Sequence, residues 1–188
     1  MRLPCPRRCF LASLFLLVAV LLAAVVFTAC RPQPPLSAEA EAFRQEIRSI
    51  LKRLQKSLAA PTAHRDLAAI DNILATTAGS VPGICLDCPY RSGVLDGSGI
   101  LLTTFPKTEI VGMNFSSYSR LRESMQRQRI TQRPVYLPDR SKMYFISAPL
   151  IHEHRVVGAV VLALTPGDLE RKWQLQEETF LALDLNVH

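Results

Sequence analysis

A chain of 188 residues, 48% hydrophobic, with 22 Lys+Arg against 16 Asp+Glu, has room for one well-filled core in a single domain. Its formal charge of +6 overstates the folded part: residues 1–30 hold three arginines and no acids, which leaves nineteen cations against sixteen anions, a net +3. So mild a balance gives no argument for a nucleic-acid partner, and no internal repeat is visible.

Residues 1–30 read as a targeting segment. Arg2, Arg7 and Arg8 form a positive start, and residues 10–27 are an uncharged apolar run of 18, on the border between a long signal-peptide core and a short membrane span. Phe27-Thr28-Ala29-Cys30, followed by Arg31-Pro32, resembles a bacterial lipobox, with Phe27 standing where such signals carry Leu or another aliphatic residue. The expectation is that residues 1–29 are a lipoprotein signal peptide with lipidation at Cys30, or else an uncleaved membrane anchor, with plain secretion the third option. Each places the remainder outside the cytoplasm. Residues 30–36, rich in proline, read as a stiff tether to the membrane.

The mature chain opens on a helix. Ser37 can cap it, Glu39 and Glu41 sit near its positive end, and Phe43, Ile47, Ile50, Leu51, Leu54 and Leu58 fall on one face until Pro61 interrupts at about Ala60. Lys52, Arg53 and Lys56 lie off that stripe as a solvated face. A second helix over about 63–76 presents Leu67, Ile70 and Leu74 and is ended by Gly79, Pro82 and Gly83. Two strands, 92–95 and 100–104, flank Asp96-Gly97-Ser98-Gly99, which predicts a hairpin with a primed turn. Ser116 or Ser117 can cap a further helix on which Tyr118, Leu121 and Met125 share a face. Strands follow at 134–137, 142–150 and 156–164. Thr165-Pro166-Gly167-Asp168 then carries the marks of a capped helix start. In the tail, Leu183, Leu185 and Val187 alternate with Ala182, Asp184 and Asn186, which predicts a strand.

Of the five cysteines, Cys5, Cys9 and Cys30 belong to the targeting segment, leaving Cys85 and Cys88 in Cys-Leu-Asp-Cys. In an oxidising compartment a pair so close reads most simply as a local disulfide. A metal site would need further ligands from His64, His152, His154 or His188, and haem attachment is opposed by Pro89; redox catalysis or free thiols are the remaining options. His152 and His154 flank Glu153 in a strand turn and read as exposed loop residues.

Three stretches, GVLDGSGILLTT, GMNFSSYSRLRESM and MYFISAPLIHEHRVVGAVVLALTPGDL, taken in that order, resemble the PAS-like core of Cache domains, the extracytoplasmic sensor family. They match the family's D-x-x-G hairpin, its Gly-led loop into a short helix, and its last strand pair. The resemblance runs from about Ser37 to Trp173. It implies an α+β fold: a central five-stranded antiparallel sheet, a long N-terminal helix and short flanking helices, with residues 37–188 as one sensor domain. It also implies a pocket between the sheet, the helix after the hairpin and the loop leading into it. The matching positions supply Tyr118, Arg122, Met125, Tyr136, Tyr144 and Ser147, aromatic walls with a few polar tips. Tyr118, Met125 and Tyr144 could equally be core. The facing of residues 142–150 stays open, because Tyr144/Ile146 and Met143/Phe145 are both apolar.

Arg120, Arg122, Arg127, Arg129 and Arg133 lie in and around the helix after the hairpin against Glu123 alone, either as a solvated helix flank or with one or two guanidiniums reaching an anionic ligand. Amino-acid-sensing members of the family hold the ligand's ammonium with an aspartate near the position of Ala163, and no acid lies between Gly158 and Thr165. The expected ligand is therefore a small carboxylate or a neutral molecule. No nucleophile elbow, phosphate loop or His-Glu-x-x-His helix is present, and Gly97-Ser98-Gly99 is turn chemistry, so a binding module is expected in place of an enzyme, with no cofactor and no metal. No apolar run of membrane length follows Phe27, so the message would pass to a separate signalling protein. The competing expectation is a structural or interaction domain whose pocket is filled by its own side chains.

Overall fold

The computed structural model describes residues 36–80, 91–136 and 140–186. Cys30, the tether through Pro35 and the Cys85–Cys88 pair lie outside them. The fold begins with α1, Ala38–His64. The Ser37 hydroxyl accepts the Ala40 amide at 3.2 Å, satisfying one of the donors a helix start leaves open. The whole predicted stripe, Phe43 through Leu58, is buried.

Pro61 does not stop the helix. It costs the Ser57 carbonyl its partner, but Ser57 lies on the exposed side, where water can take it. The stop comes at Arg65, in the left-handed conformation (φ 54°), whose amide bonds back to the Pro61 and Thr62 carbonyls. The next helix, α2 (Leu67–Ser80), consequently starts later than its apolar spacing predicts, with Asp66 Oδ1 accepting the Ala69 amide at 3.0 Å. Leu67, expected to be packed, is exposed; Ile70 and Leu74 are buried.

Five strands follow: β1 (Arg91–Asp96), β2 (Leu101–Phe105), β3 (Thr131–Tyr136), β4 (Lys142–His152) and β5 (Arg155–Leu164). A helix, α3 (Ser119–Arg127), separates β2 from β3. All pairs are antiparallel, in the order β2-β1-β5-β4-β3. Pro134 is tolerated because β3 is an edge. The fold class read from the sequence is the one observed, α+β with a five-stranded antiparallel sheet.

The primed turn expected at Asp96–Gly99 is not formed there. At Asp96–Gly99 the left-handed residue is Gly99 alone (φ 89°), and the β1–β2 register steps between Val94 and Leu95, so this is a right-handed turn with a bulge. The Asp96 carboxylate imposes it, because Oδ1 accepts the Ser98 amide (2.9 Å), the Ser98 hydroxyl (2.6 Å) and the Ile100 amide (3.0 Å) at once. The primed geometry occurs instead between β4 and β5, where Glu153 and His154 have φ of 47° and 62°.

The core lies between α1 and one face of the sheet: Val94, Tyr144, Ile146, Ala148, Leu150, Val160, Leu162 and Leu164. Two short helices close its end, α4 (Pro166–Trp173) and α5 (Glu177–Ala182). The predicted capping box is present: Thr165 Oγ1 accepts the Asp168 amide at 3.2 Å while Asp168 Oδ2 accepts the Thr165 amide at 2.9 Å. Phe43 meets Trp173 and Phe180 edge-on, at 5.2 and 5.8 Å.

The tail is not a strand among the described residues. The alternation in it is real, with Leu183 and Leu185 buried and Asp184 exposed, but side-chain hydrogen bonds, and not a ladder, tie it to the β3 region. The Gln132 amide donates to the carbonyls of Phe180 (2.8 Å) and Leu183, and Asn186 Oδ1 accepts the Ile130 amide at 2.8 Å.

Candidate functional site

The sheet has a second face, and the register decides which residues reach it. On β4, Tyr144, Ile146, Ala148 and Leu150 belong to the α1 core, so Met143, Phe145 and Ser147 project oppositely. α3 packs on that opposite side. Its Leu121 is buried with Leu95 and Leu101, and Phe115, Tyr118, Phe145 and Val161 are packed partly buried around them. Beneath α3 the Ser124 and Ser147 hydroxyls meet at 2.7 Å, both buried, and Ser124 Oγ also bonds the Leu121 carbonyl at 3.1 Å.

The loop into α3 is stitched to the hairpin by backbone. Gly112, at φ 87°, donates to the Leu101 carbonyl (2.8 Å), Leu101 donates to Met113 (2.9 Å), and Phe115 donates to Gly99 (2.8 Å). The cap of α3 is Tyr118 and makes no side-chain cap bond; neither Ser116 nor Ser117 serves. Asn114 Oδ1 has already taken the Ser116 amide at 2.8 Å, and Tyr118 is held by its ring contact with Phe115 at 5.4 Å.

The arginine cluster has an internal order. Glu123 accepts both Nε and Nη2 of Arg133 at 3.2 Å, pairs with Arg127 at 3.2 Å, and has Arg129 at 3.9 Å. Arg122 stands apart. It is exposed, forms no ion pair among the described residues, and donates to the Ser116 carbonyl at 3.3 Å.

The six residues expected in one pocket therefore divide. Tyr118, Arg122, Met125 and Ser147 come together on the α3 side, with Tyr118 and Met125 half-buried. Tyr136 and Tyr144 do not join them, because β3 pairs with β4 so that Pro134 faces Tyr144 and Tyr136 faces Lys142, all on the α1 side. Tyr144 is a core residue, 5.0 Å from Phe180, while Tyr136 is 65% exposed. Phe115, Phe145 and Ser124 belong to the α3 side and escape sequence reasoning. Only a fixed parity for β4 could have brought Phe145 forward.

On the α1 side, Lys142 Nζ lies over the rings of Tyr136 (5.9 Å) and Tyr144 (5.4 Å) and pairs with Glu177. Glu177 holds the Lys142 ammonium above its usual pKa, and Lys142 holds the Glu177 carboxyl below its own; burial pushes the Tyr144 phenol up. At the hairpin, burial alone would raise the Asp96 pKa. The Ser98 hydroxyl, the Ile100 and Ser98 amides and Arg65 outweigh it and bring the carboxyl below the ordinary range. Among the described residues no group of three or more His, Cys, Asp or Glu forms a metal site, and no helix is long and apolar enough to cross a membrane. His152 ends β4 half-buried, its ring 5.7 Å from that of His64, and His154 is exposed in the turn.

No family model matches the sequence, and no curated protein matches it. Solved structures do. The chain is similar to the sensory domain of the Campylobacter jejuni chemoreceptor Tlp3 with isoleucine bound, with a TM-score of 0.55 at 12% identity, covering 71% of this chain and 56% of that one. It is also similar to the ligand-binding domain of the Pseudomonas fluorescens chemoreceptor CtaA in complex with L-isoleucine, with a TM-score of 0.50 at 14% identity, covering 78% and 57%. The fold is that of Cache-type sensor domains. The chain spans somewhat more than half the length of these two sensor domains. Ala163 lies on its α3 side, paired with Phe145 and Arg91, and brings no carboxylate there.

Proposed function

We propose that the protein is an extracytoplasmic sensor module that captures a small carboxylate on the α3 side of its sheet and passes the event to a separate signalling protein. Residues 1–29 deliver it as a lipoprotein signal or anchor, and residues 30–36 hold residues 37–188 off the membrane. The observation that carries the reading is Arg122. It is an exposed guanidinium without an ion-pair partner among the described residues, on the helix that covers the Ser124–Ser147 pair, beside the half-buried Tyr118 and Met125. A planar fork of donors suits a carboxylate, while Ala163 offers an ammonium no carboxylate and Glu123 is engaged by Arg127 and Arg133. The Cache-type fold supports a binding module over a catalyst.

The test is calorimetric titration of the intact protein with small carboxylates. A charge-assisted pair is worth about 1.5–3 kcal/mol, so Arg122→Ala weakens binding by about ten- to a hundredfold, and Arg122→Lys recovers little. Unchanged affinity in Arg122→Ala removes that residue from the site.

One observation favours a second reading, a structural or interaction domain. The Ser124 and Ser147 hydroxyls satisfy each other, and the buried polar atoms left without a partner among the described residues, Arg44 Nε, Thr62 Oγ1 and Trp173 Nε1, belong to α1 and α4. A metabolite screen separates the readings, because only a ligand that binds the folded state raises the melting temperature with concentration.

A further inference from the structure

The α1 side of the sheet holds a groove of about 520 Å³ at the start of β4, walled by α4 and α5. That volume suits a small ligand. Its lining includes Tyr144, Leu169, Glu170, Gln174, Glu177 and Glu178, three carboxylates with no cation among the described lining residues. Glu170 and Glu178 are exposed and form no ion pair among the described residues. An ammonium already sits beside the groove: Lys142 Nζ, over the Tyr136 and Tyr144 rings and against the Glu177 carboxylate. Two aromatic faces and a carboxylate around one ammonium make the arrangement that recognises amines in general, since the ring quadrupole and the anion both attract the cation. The lysine is not locked in. Its side chain is 25% exposed, and that of Glu177 is 33% exposed, so the pair is open to exchange with solvent.

We propose that this groove is a second ligand site, which takes a small organic amine whose ammonium enters between Tyr136, Tyr144 and Glu177 as Lys142 swings out to water. Lys142 is thus a resident competitor that sets the threshold concentration for the amine. The site is separate from the α3 side, where Arg122 stands, and it makes use of the two tyrosines that the register keeps away from α3. Its charge is also opposite, so the two faces select ligands of opposite sign.

The probe is n-butylamine, which carries the ammonium and carbon stem of a lysine side chain, titrated calorimetrically into the intact protein with sodium acetate as the anion control. The native protein binds the amine saturably. Lys142→Met, which removes the competitor and keeps the apolar stem, tightens binding at least tenfold. Adding Glu177→Gln to that variant weakens it at least tenfold, and Arg122→Ala leaves amine binding unchanged. Melting curves on each variant confirm folding. Glu178→Gln, at an exposed position, gives a smaller loss that does not depend on the Glu177 variant. Absence of saturable amine binding to the native protein, equal affinity in the native and Lys142→Met proteins, or amine binding that falls with Arg122→Ala overturns the proposal. The Arg122 arm also keeps failure here distinct from failure of the carboxylate reading.

Discussion

Asp96 offers the sharpest test of how the hairpin is built. It is 4% exposed, and Oδ1 accepts three donors while Oδ2 takes Arg65 Nη2 at 2.8 Å. In Asp96→Ala all of these lose their acceptor. Hydrogen bonds to a charged group are worth about 1.5–3 kcal/mol each when the partner stays buried, but Ser98 is exposed and water can replace its lost acceptor, so about 3 kcal/mol is the net expectation. Asp96→Asn keeps an oxygen that can still accept from the turn and loses mainly the pair with Arg65. Since the Arg65 side chain is 69% exposed, that pair is worth about 1 kcal/mol at most. For a domain of this size these costs lower the melting temperature by about 6–12 °C and 2–4 °C respectively.

The pH dependence follows from the lowered pKa. A depressed carboxyl contributes stability that is full above its ordinary value of 3.8 and is lost as pH falls through the folded value. The gap between native protein and Asp96→Ala is therefore constant near neutrality and narrows in acid. Calorimetric or urea unfolding at pH 7 and pH 3 reads both effects. Equal losses in Asn and Ala would refute the reasoning, because the ion pair and not the turn would then be holding the hairpin.

Three further outcomes complete the set. Gly158→Ala places a Cβ 2.1 Å from the Leu95 carbonyl and 3.1 Å from Thr62 Cγ2, so the β1–β5 ladder must shift under α1; a loss of about 3 kcal/mol or more is expected by urea unfolding, and a loss under about 1 kcal/mol would show that the sheet yields easily. Outside the described residues, palmitate labelling marks Cys30 and is abolished in Cys30→Ala, while Cys85 and Cys88 resist alkylation until reductant is added; free thiols or bound zinc would exclude their disulfide.

What the sequence determined by itself was local. The Ser37 cap, the Phe43–Leu58 stripe and the Thr165–Asp168 capping box could be read because each depends on residues within a turn or two of one another. The strand segments were legible for a similar reason, since turn signals and short apolar runs follow one another along the chain, whereas the antiparallel five-stranded sheet came from the family resemblance and the β1–β5 pairing from the tertiary structure alone. The tertiary structure decided which way β4 faces. Met143 through Leu150 are apolar or buried on both sides, so no alternation marks the core face, and only pairing with β3 and β5 sends Tyr136 and Tyr144 to α1 and Ser147 to α3. Pro61 could not announce that α1 runs past it, because the outcome rests on the solvent exposure of Ser57 and on Arg65 turning left-handed. Nor could the sequence show that Arg133, Arg127 and Arg129 converge on Glu123 and leave Arg122 apart, or that Lys142 occupies a place between two tyrosines. Arg127 lies one turn from Glu123 on α3 and is within reach by spacing alone, but Arg133, Lys142 and Glu177 meet their partners across different elements, brought together by the packing of α3 and α5 against the sheet.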